Sequence, residues 1–173
     1  MGTHAQPPQP HPVVVGVSAG QPPQVVEQAA EFAARFGAEL VCAHVNPGRF
    51  STAESPDGSV LTAPLDPDFA DEHDAAFDAR IAAGLAELLE GSDISWRTLA
   101  LAGDVPTALA HLADTLDASM IIVGGHAHSL GGSIQDFFTG SVALALTRRQ
   151  SRPVVVIPTH SGGDADALSR PIE

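Results

Sequence analysis

Val13-Val14-Val15-Gly16-Val17 is a β-branched run interrupted only by a glycine. A strand exposed on one face would alternate apolar and polar residues. This one does not, which marks a strand buried on both faces, the kind found inside parallel sheets. Gly20-Gln21-Pro22-Pro23 punctuates the run, and proline suits the first turn of a helix. Val25, Ala29, Phe32, Ala33 and Phe36 then recur at helical spacing, with Gly37 as the stop.

The alternation continues. Residues 39–45 (Glu-Leu-Val-Cys-Ala-His-Val) predict a second strand, and Asn46 to Pro67, rich in Ser, Pro, Gly and Asp, predicts a long loop. Asp68 to Glu90 predicts a helix with Phe77, Ile81, Leu85 and Leu88 on one face. Its acidic residues, Asp71, Glu72, Asp74, Asp78, Glu87 and Glu90, read as a solvated face. Ile94–Leu101 predicts a third strand. Asp104 then caps a helix with Pro106 in its first turn and Leu109, Leu112 and Leu116 as its buried stripe. Ser119–Gly124 is a fourth strand, followed by a glycine-rich loop over 124–133 and a helix beginning near Gly140-Ser141 and ending near Arg149. Pro153–Pro158 is a fifth strand. Strands alternating with amphipathic helices imply an α/β fold: an open, doubly wound, five-stranded parallel sheet with helices on both faces. Residues 1–12, with four prolines, read as a disordered leader, 13–158 as one domain, and 159–173 as a flexible tail.

Composition narrows the chemistry. The 173 residues carry 8 basic residues, all arginine, against 21 acidic ones, a formal net charge of −13. Such a surface repels nucleic-acid backbones, so nucleic-acid partners are not expected. Without lysine there is no Schiff-base chemistry and no Walker-type lysine. One cysteine, Cys42, excludes an intrachain disulfide and fits a reducing cytoplasm. No apolar run is long enough to span a bilayer, and the N-terminus lacks signal-peptide character, so a cytoplasmic protein without membrane partner is expected.

In a doubly wound sheet, ligands bind beyond the carboxyl ends of the strands where the winding reverses. The first strand ends at Val17-Ser18, and the fourth at Val123-Gly124. Glycines at 124, 125, 131 and 132 free backbone N–H groups for a ligand, and the helix near Gly140-Ser141 adds its positive end. Such a cradle needs no lysine. It is equally what tight strand-to-helix turns require.

Val123-Gly124-Gly125-His126-Ala127, then Thr139-Gly140-Ser141-Val142-Ala143, then Arg152-Pro153-Val154-Val155-Val156 resemble the signature of the universal stress protein family. The first-strand Val-Gly-Val, His44-Val45 and Gly103-Asp104-Val105-Pro106 agree, and the resemblance spans roughly residues 13–158. It implies a Rossmann-like sheet of the adenine nucleotide alpha hydrolase-like type and, in one branch of the family, bound ATP, with Mg as its companion ion. It further implies adenine beside Val45, and ribose and phosphates near Ser18, Gly124, Ala127, Gly140, Ser141 and Val142. Val17, Val123, Gly131 and Gly132 complete the expected binding set. A homodimer paired through strand Pro153–Pro158 is also implied. Three departures accompany the resemblance: Ser18 stands where the family usually has Asp, Ala127 replaces a glycine, and twelve residues separate Ala127 from Gly140, three more than in the signature. The resemblance brings no hydrolytic mechanism, so bound nucleotide is a signal or cargo, turned over slowly if at all. The alternative is a non-nucleotide dimer of this fold that serves as a protein interaction module.

Other motifs have blander readings beside their sharp ones. Gly16-Val17-Ser18-Ala19-Gly20 matches a G-x-S-x-G nucleophile elbow, but no earlier strand exists to supply the oxyanion donor. His126-x-His128 with Asp136 invites a metal, yet further ligands are not evident, and loop polar residues are the ordinary reading. His44 reads as a hydrogen-bonded core histidine and Cys42 as a small buried hydrophobe. Arg148, Arg149 and Arg152 complement a helix end, or meet acidic groups of a second subunit.

Overall fold

A computed structural model of the chain describes residues 10–66, 68, 76–126 and 137–159, the side chains of 126 and 137–141 excepted. The elements run β1 (Val13–Gly16), α1 (Gln24–Phe36), β2 (Leu40–Asn46), β3 (Arg49–Glu54), β4 (Val60–Pro64), α2 (Ala79–Leu88), β5 (Trp96–Ala102), α3 (Val105–Thr115), β6 (Met120–His126), α4 (Phe137–Arg149) and β7 (Val154–Thr159). Five strands form one parallel sheet in the order β5-β2-β1-β6-β7. From β1 the chain winds one way to β2 and β5. It then returns to the other side of β1 and winds outward through β6 and β7, so the direction reverses between β1 and β6.

The uninterrupted apolar runs put side chains into two cores. Val13, Val15 and Val17 point to the face covered by α1 and α2, with Cys42, Met120 and Ile122. Val14 points to the other, with Val41, Val45, Ile121 and Val123 under α3 and α4. Val13, Val14 and Val15 are wholly buried. At about 25 cal/mol per Å² of apolar surface, each fully buried valine contributes on the order of 2 kcal/mol, an upper estimate against an extended reference chain.

Helix ends follow local chemistry. Gly37 ends α1 in the left-handed region at φ 59°, and the next N–H, on Ala38, returns 2.9 Å to the Ala33 carbonyl. Asp104 caps α3 by accepting the Thr107 N–H at 3.2 Å, with Pro106 in the first turn as expected. Phe36, placed in the buried stripe of α1, is instead 54% exposed beside the helix terminus.

Three expectations are corrected. The stretch 46–67 is not a plain loop: β3 and β4 pair antiparallel, with a register shift between Ser51 and Ala53. The hairpin packs beside β5 and α3. Its Gly58, at φ +81°, is pressed so closely there that a Cβ would lie 2.5 Å from Leu112 Cδ1. Arg97 of β5 donates to the Asp57 carbonyl at 2.8 Å and holds the turn down. The helix expected over 68–90 spans Ala79–Leu88. Asp78, read as part of a solvated face, is its cap and accepts from the N–H groups of Arg80 and Ile81. Leu89 is buried in place of Leu88. Finally, α4 begins at Phe137, three residues before Gly140.

The structure also settles the arginines. Arg149 reaches Asp104 at 2.9 Å, and Arg152 donates from Nε to the Ala118 carbonyl at 2.7 Å while pairing with Asp114 and Asp117. They join the end of α4 and the following turn to α3 and the turn after it within one chain. Thr159, read as the start of the tail, is the last residue of β7.

Candidate functional site

The reversal between β1 and β6 opens a crevice, and backbone direction at its head can be read residue by residue. Val17 turns both its backbone groups toward β2. Its N–H donates to the Ala43 carbonyl at 2.9 Å, and its carbonyl lies 3.0 Å from His44 Nδ1. Gly16 and Ser18, one residue to either side, therefore face β6. The paired register of β1 with β6 runs to Val15↔Ile122 and stops, whereas β6 continues against β7 as far as His126↔Thr159. Beyond Val15 the two central strands part.

The side chain of Gln21 fills that parting. Its Nε2 donates to the Gly16 carbonyl at 3.2 Å, and its Oε1 accepts the Ser18 N–H at 3.3 Å. Across the gap, a Cβ on Gly124 would meet Gln21 Nε2 and Val25 Cγ2 at 3.1 Å each, so glycine lets the carboxamide lie against β6. Gly125 packs tighter still: a Cβ there would fall 2.6 Å from Val156 Cγ1. The Thr159 hydroxyl donates to the Gly125 carbonyl, and Gln24 Nε2 donates to the Pro158 carbonyl at 2.7 Å, which fastens α1 and β7 around the end of β6. These two glycines serve close packing of strand and helix.

The sequence-derived site residues are partly assembled here. Val17 is buried under α1, with Ser18 exposed at the strand head. Val45, Val123 and Val142 share one apolar cluster on the opposite face, at the carboxyl ends of β2 and β6 and the first half of α4. Gly124 lies at the crevice wall. Gly140 and Ser141 stand inside α4, whose described residues begin at Phe137. Ala127, Gly131 and Gly132 fall outside the described residues, as do His128, Asp136 and the side chain of His126. Gln21 and Thr159 went unrecognised. Gln21 was read only as punctuation, and its one local signal is that Pro22-Pro23 stiffens the chain just behind it.

His44 is a half-buried, hydrogen-bonded histidine whose ring stands edge-on to Phe77, with centroids 6.2 Å apart. Cys42 is fully buried, and desolvation pushes its thiol up to about 12, so it is inert packing. Among the described residues nothing hydrogen-bonds the Ser18 hydroxyl, and His44 turns its Nδ1 to the Val17 carbonyl, so no described base engages the serine of the elbow motif. Two grooves lie elsewhere. One, of about 950 Å³, is at the amino ends of the strands by Ala34, Glu39 and Arg97. A smaller one of about 270 Å³ lies between the hairpin and α3. Neither reaches Ser18 or Gly124. No helix among the described residues is long and apolar enough to cross a membrane.

The strand order and the crevice at its reversal define a doubly wound, Rossmann-like α/β domain. Within that class, the chain belongs to the universal stress protein family, which matches it over residues 10–158. Solved structures agree in fold. A universal stress protein from Archaeoglobus fulgidus superposes with a TM-score of 0.61 at 22% identity, covering 84% of this chain and 97% of that one. The Archaeoglobus fulgidus protein in complex with dAMP gives 0.58 at 21%, covering 84% and 96%. A universal stress protein in complex with cAMP gives 0.51 at 23%, covering 85% and 95%. No curated protein matches the chain.

Proposed function

We propose that this chain is a cytoplasmic, homodimeric regulatory protein that binds an adenine nucleotide in the crevice between β1 and β6. The observation that carries the reading is the parting of those strands after Val15, with Ser18 exposed at the head of β1 and Gly124 on β6 across from it. Similar structures hold dAMP and cAMP. Val45, Val123 and Val142, buried together at the carboxyl ends of β2 and β6 and in α4, would lie beneath a base as an apolar floor. The Ser18 N–H and hydroxyl and the first N–H groups of α4 are donors for ribose and phosphate oxygens. ATP would bring three phosphates with a Mg ion to share their charge. Ser18 is a poorer metal ligand than a carboxylate, so the ion would rest mainly on the phosphates. Adenine nucleotide is then a signal, and the chain's own residues hold it without a base placed to hydrolyse it.

The test is direct. Protein purified without added nucleotide is denatured, its supernatant chromatographed, and thermal shift measured with AMP, ADP and ATP with and without magnesium. Released adenine nucleotide, or a shift of several degrees, supports the reading. If nothing is released and millimolar nucleotide causes no shift, the reading is lost. The dimer reading rests on β7, an edge strand that has no partner on its outer side among the described residues, while the other edge strand, β5, is flanked by the hairpin. The second reading, a partner-binding module, draws on Phe50, Leu61 and Leu65, apolar side chains exposed on or just after that hairpin.

A further inference from the structure

The two groups that Gln21 satisfies are the ones a continued ladder would use. Extending Val15↔Ile122 by two residues sets Val17 opposite Gly124. In a parallel pair, a residue opposite Val17 donates its N–H to the Gly16 carbonyl and accepts the Ser18 N–H at its own carbonyl. Gln21 makes that pair of bonds, from Nε2 and from Oε1, and it lies against Gly124 as it does so. A primary carboxamide carries a donor and an acceptor side by side, as a peptide unit does. The side chain is a stand-in for the missing peptide of β6, lodged where the crevice opens.

We propose that Gln21 is an internal competitor at the nucleotide crevice and sets its affinity. The inference rests on the adenine-nucleotide reading of that crevice. A phosphate or ribose oxygen can take the Ser18 N–H only when the Gln21 carbonyl leaves it. A phosphate oxygen offers nothing to the Gly16 carbonyl, which then needs water. Entry of the ligand therefore costs two hydrogen bonds of the empty state. The position selects as well as competes. A ligand edge with adjacent donor and acceptor, such as N6 and N1 of adenine, replaces both bonds, whereas a bare phosphate replaces one.

Isothermal titration with AMP of the wild type, Gln21→Ala and Gln21→Asn tests this. Asparagine keeps the amide but is one methylene too short to span both backbone groups. Both variants should bind AMP more tightly than wild type, by about tenfold for two hydrogen bonds of ordinary net strength. Gln21→Glu should bind more weakly, because a carboxylate accepts the Ser18 N–H more strongly than a carboxamide does and repels phosphate. In the free protein, hydrogen exchange at the Ser18 amide should be slowed in wild type and fast in Gln21→Ala. Equal or weaker AMP binding by both Ala and Asn variants overturns the competitor role and leaves the nucleotide reading standing. Absence of AMP binding in wild type and both variants overturns both. Because one variant is shortened and the other truncated, a folding defect in either leaves the comparison available in the other.

Discussion

His44 Nδ1 lies 3.0 Å from the carbonyl oxygen of Val17, so a side chain of β2 fixes the last buried residue before the exposed Ser18. Beyond that residue β1 has no ladder left to hold it. His44→Ala should therefore lower stability by about 1 kcal/mol, the ordinary worth of one hydrogen bond, and raise backbone exchange at Val17 and Ser18. Urea melts with exchange mass spectrometry read both. Unchanged exchange at Ser18 would show that the strand head is held by other means.

Gly58 cannot be replaced cheaply. Its φ of +81° disfavours any side chain, and a Cβ would sit 2.5 Å from Leu112 Cδ1. Gly58→Ala should cost about 3 kcal/mol from strain and overpacking together. Chemical denaturation gives the number. A loss under about 0.5 kcal/mol would mean that the hairpin turn can shift off α3 freely.

Arg152 knits three carboxyl or carbonyl groups of one helix end, and its side chain is only 19% exposed. Arg152→Met keeps much of the stem and removes every side-chain hydrogen bond, taking the guanidinium away from the Ala118 carbonyl. A loss of about 2 kcal/mol is expected, and Arg152→Lys should recover only part of it, since an ammonium lacks the planar fork. Full recovery by lysine would reduce the role of Arg152 to its charge alone.

Acid should weaken the molecule in a predictable window. Hydrogen bonds from Thr115 and His111 hold the Glu54 carboxyl below its ordinary 4.5, and the Thr107 hydroxyl, with its N–H, holds Asp104 below 3.8. A carboxyl depressed in the folded state adds stability above its unfolded pKa and loses it as pH falls through the folded one. Melting temperature should thus hold through neutral pH and drop below about 4.5, within the ordinary carboxyl range. Asp104→Asn keeps a capping acceptor and removes the titration, so its acid limb should be shallower. An identical limb in that variant would show that Asp104 adds nothing to the pH dependence.

Association is testable at one side chain. Val156, 45% exposed on the edge strand β7, should tolerate glutamate in the folded monomer, and Val156→Glu should shift the mass in solution from dimer to monomer. Light scattering at micromolar concentration decides it, and a wild-type monomer would itself remove the dimer.

The parallel sheet was legible because Val13–Val17, Leu40–Ala43 and Met120–Val123 are apolar without alternation, which only a doubly covered sheet requires. The cap of α3 was legible too, since Asp104 and Pro106 act within one turn. The hairpin was not. Ser51, Thr52, Ala53 and Glu54 are all exposed, so β3 writes no inside-outside pattern into the sequence. Its burial depends on Gly58 meeting Leu112, residues far apart in the chain. The beginning of α4 was misplaced because a glycine at 140 suggested a start where the helix was already under way. Of the expected site residues, Val17, Ser18, Val123 and Gly124 came from the strand ends where the winding reverses, and Val45 and Val142 from the family resemblance. Gln21 was not, because its importance lies in a strand pairing that is missing.

Only Ala19 and Gly20 separate Gln21 from Ser18, and this tether gives its carboxamide a property no dissolved molecule has. A tethered group is present at an effective concentration in the millimolar range or above, and dilution does not change it. Free ligand in the cell rises and falls against that constant. The level at which the crevice fills is then written into the chain itself, and changing one side chain resets it without touching any group that holds the nucleotide.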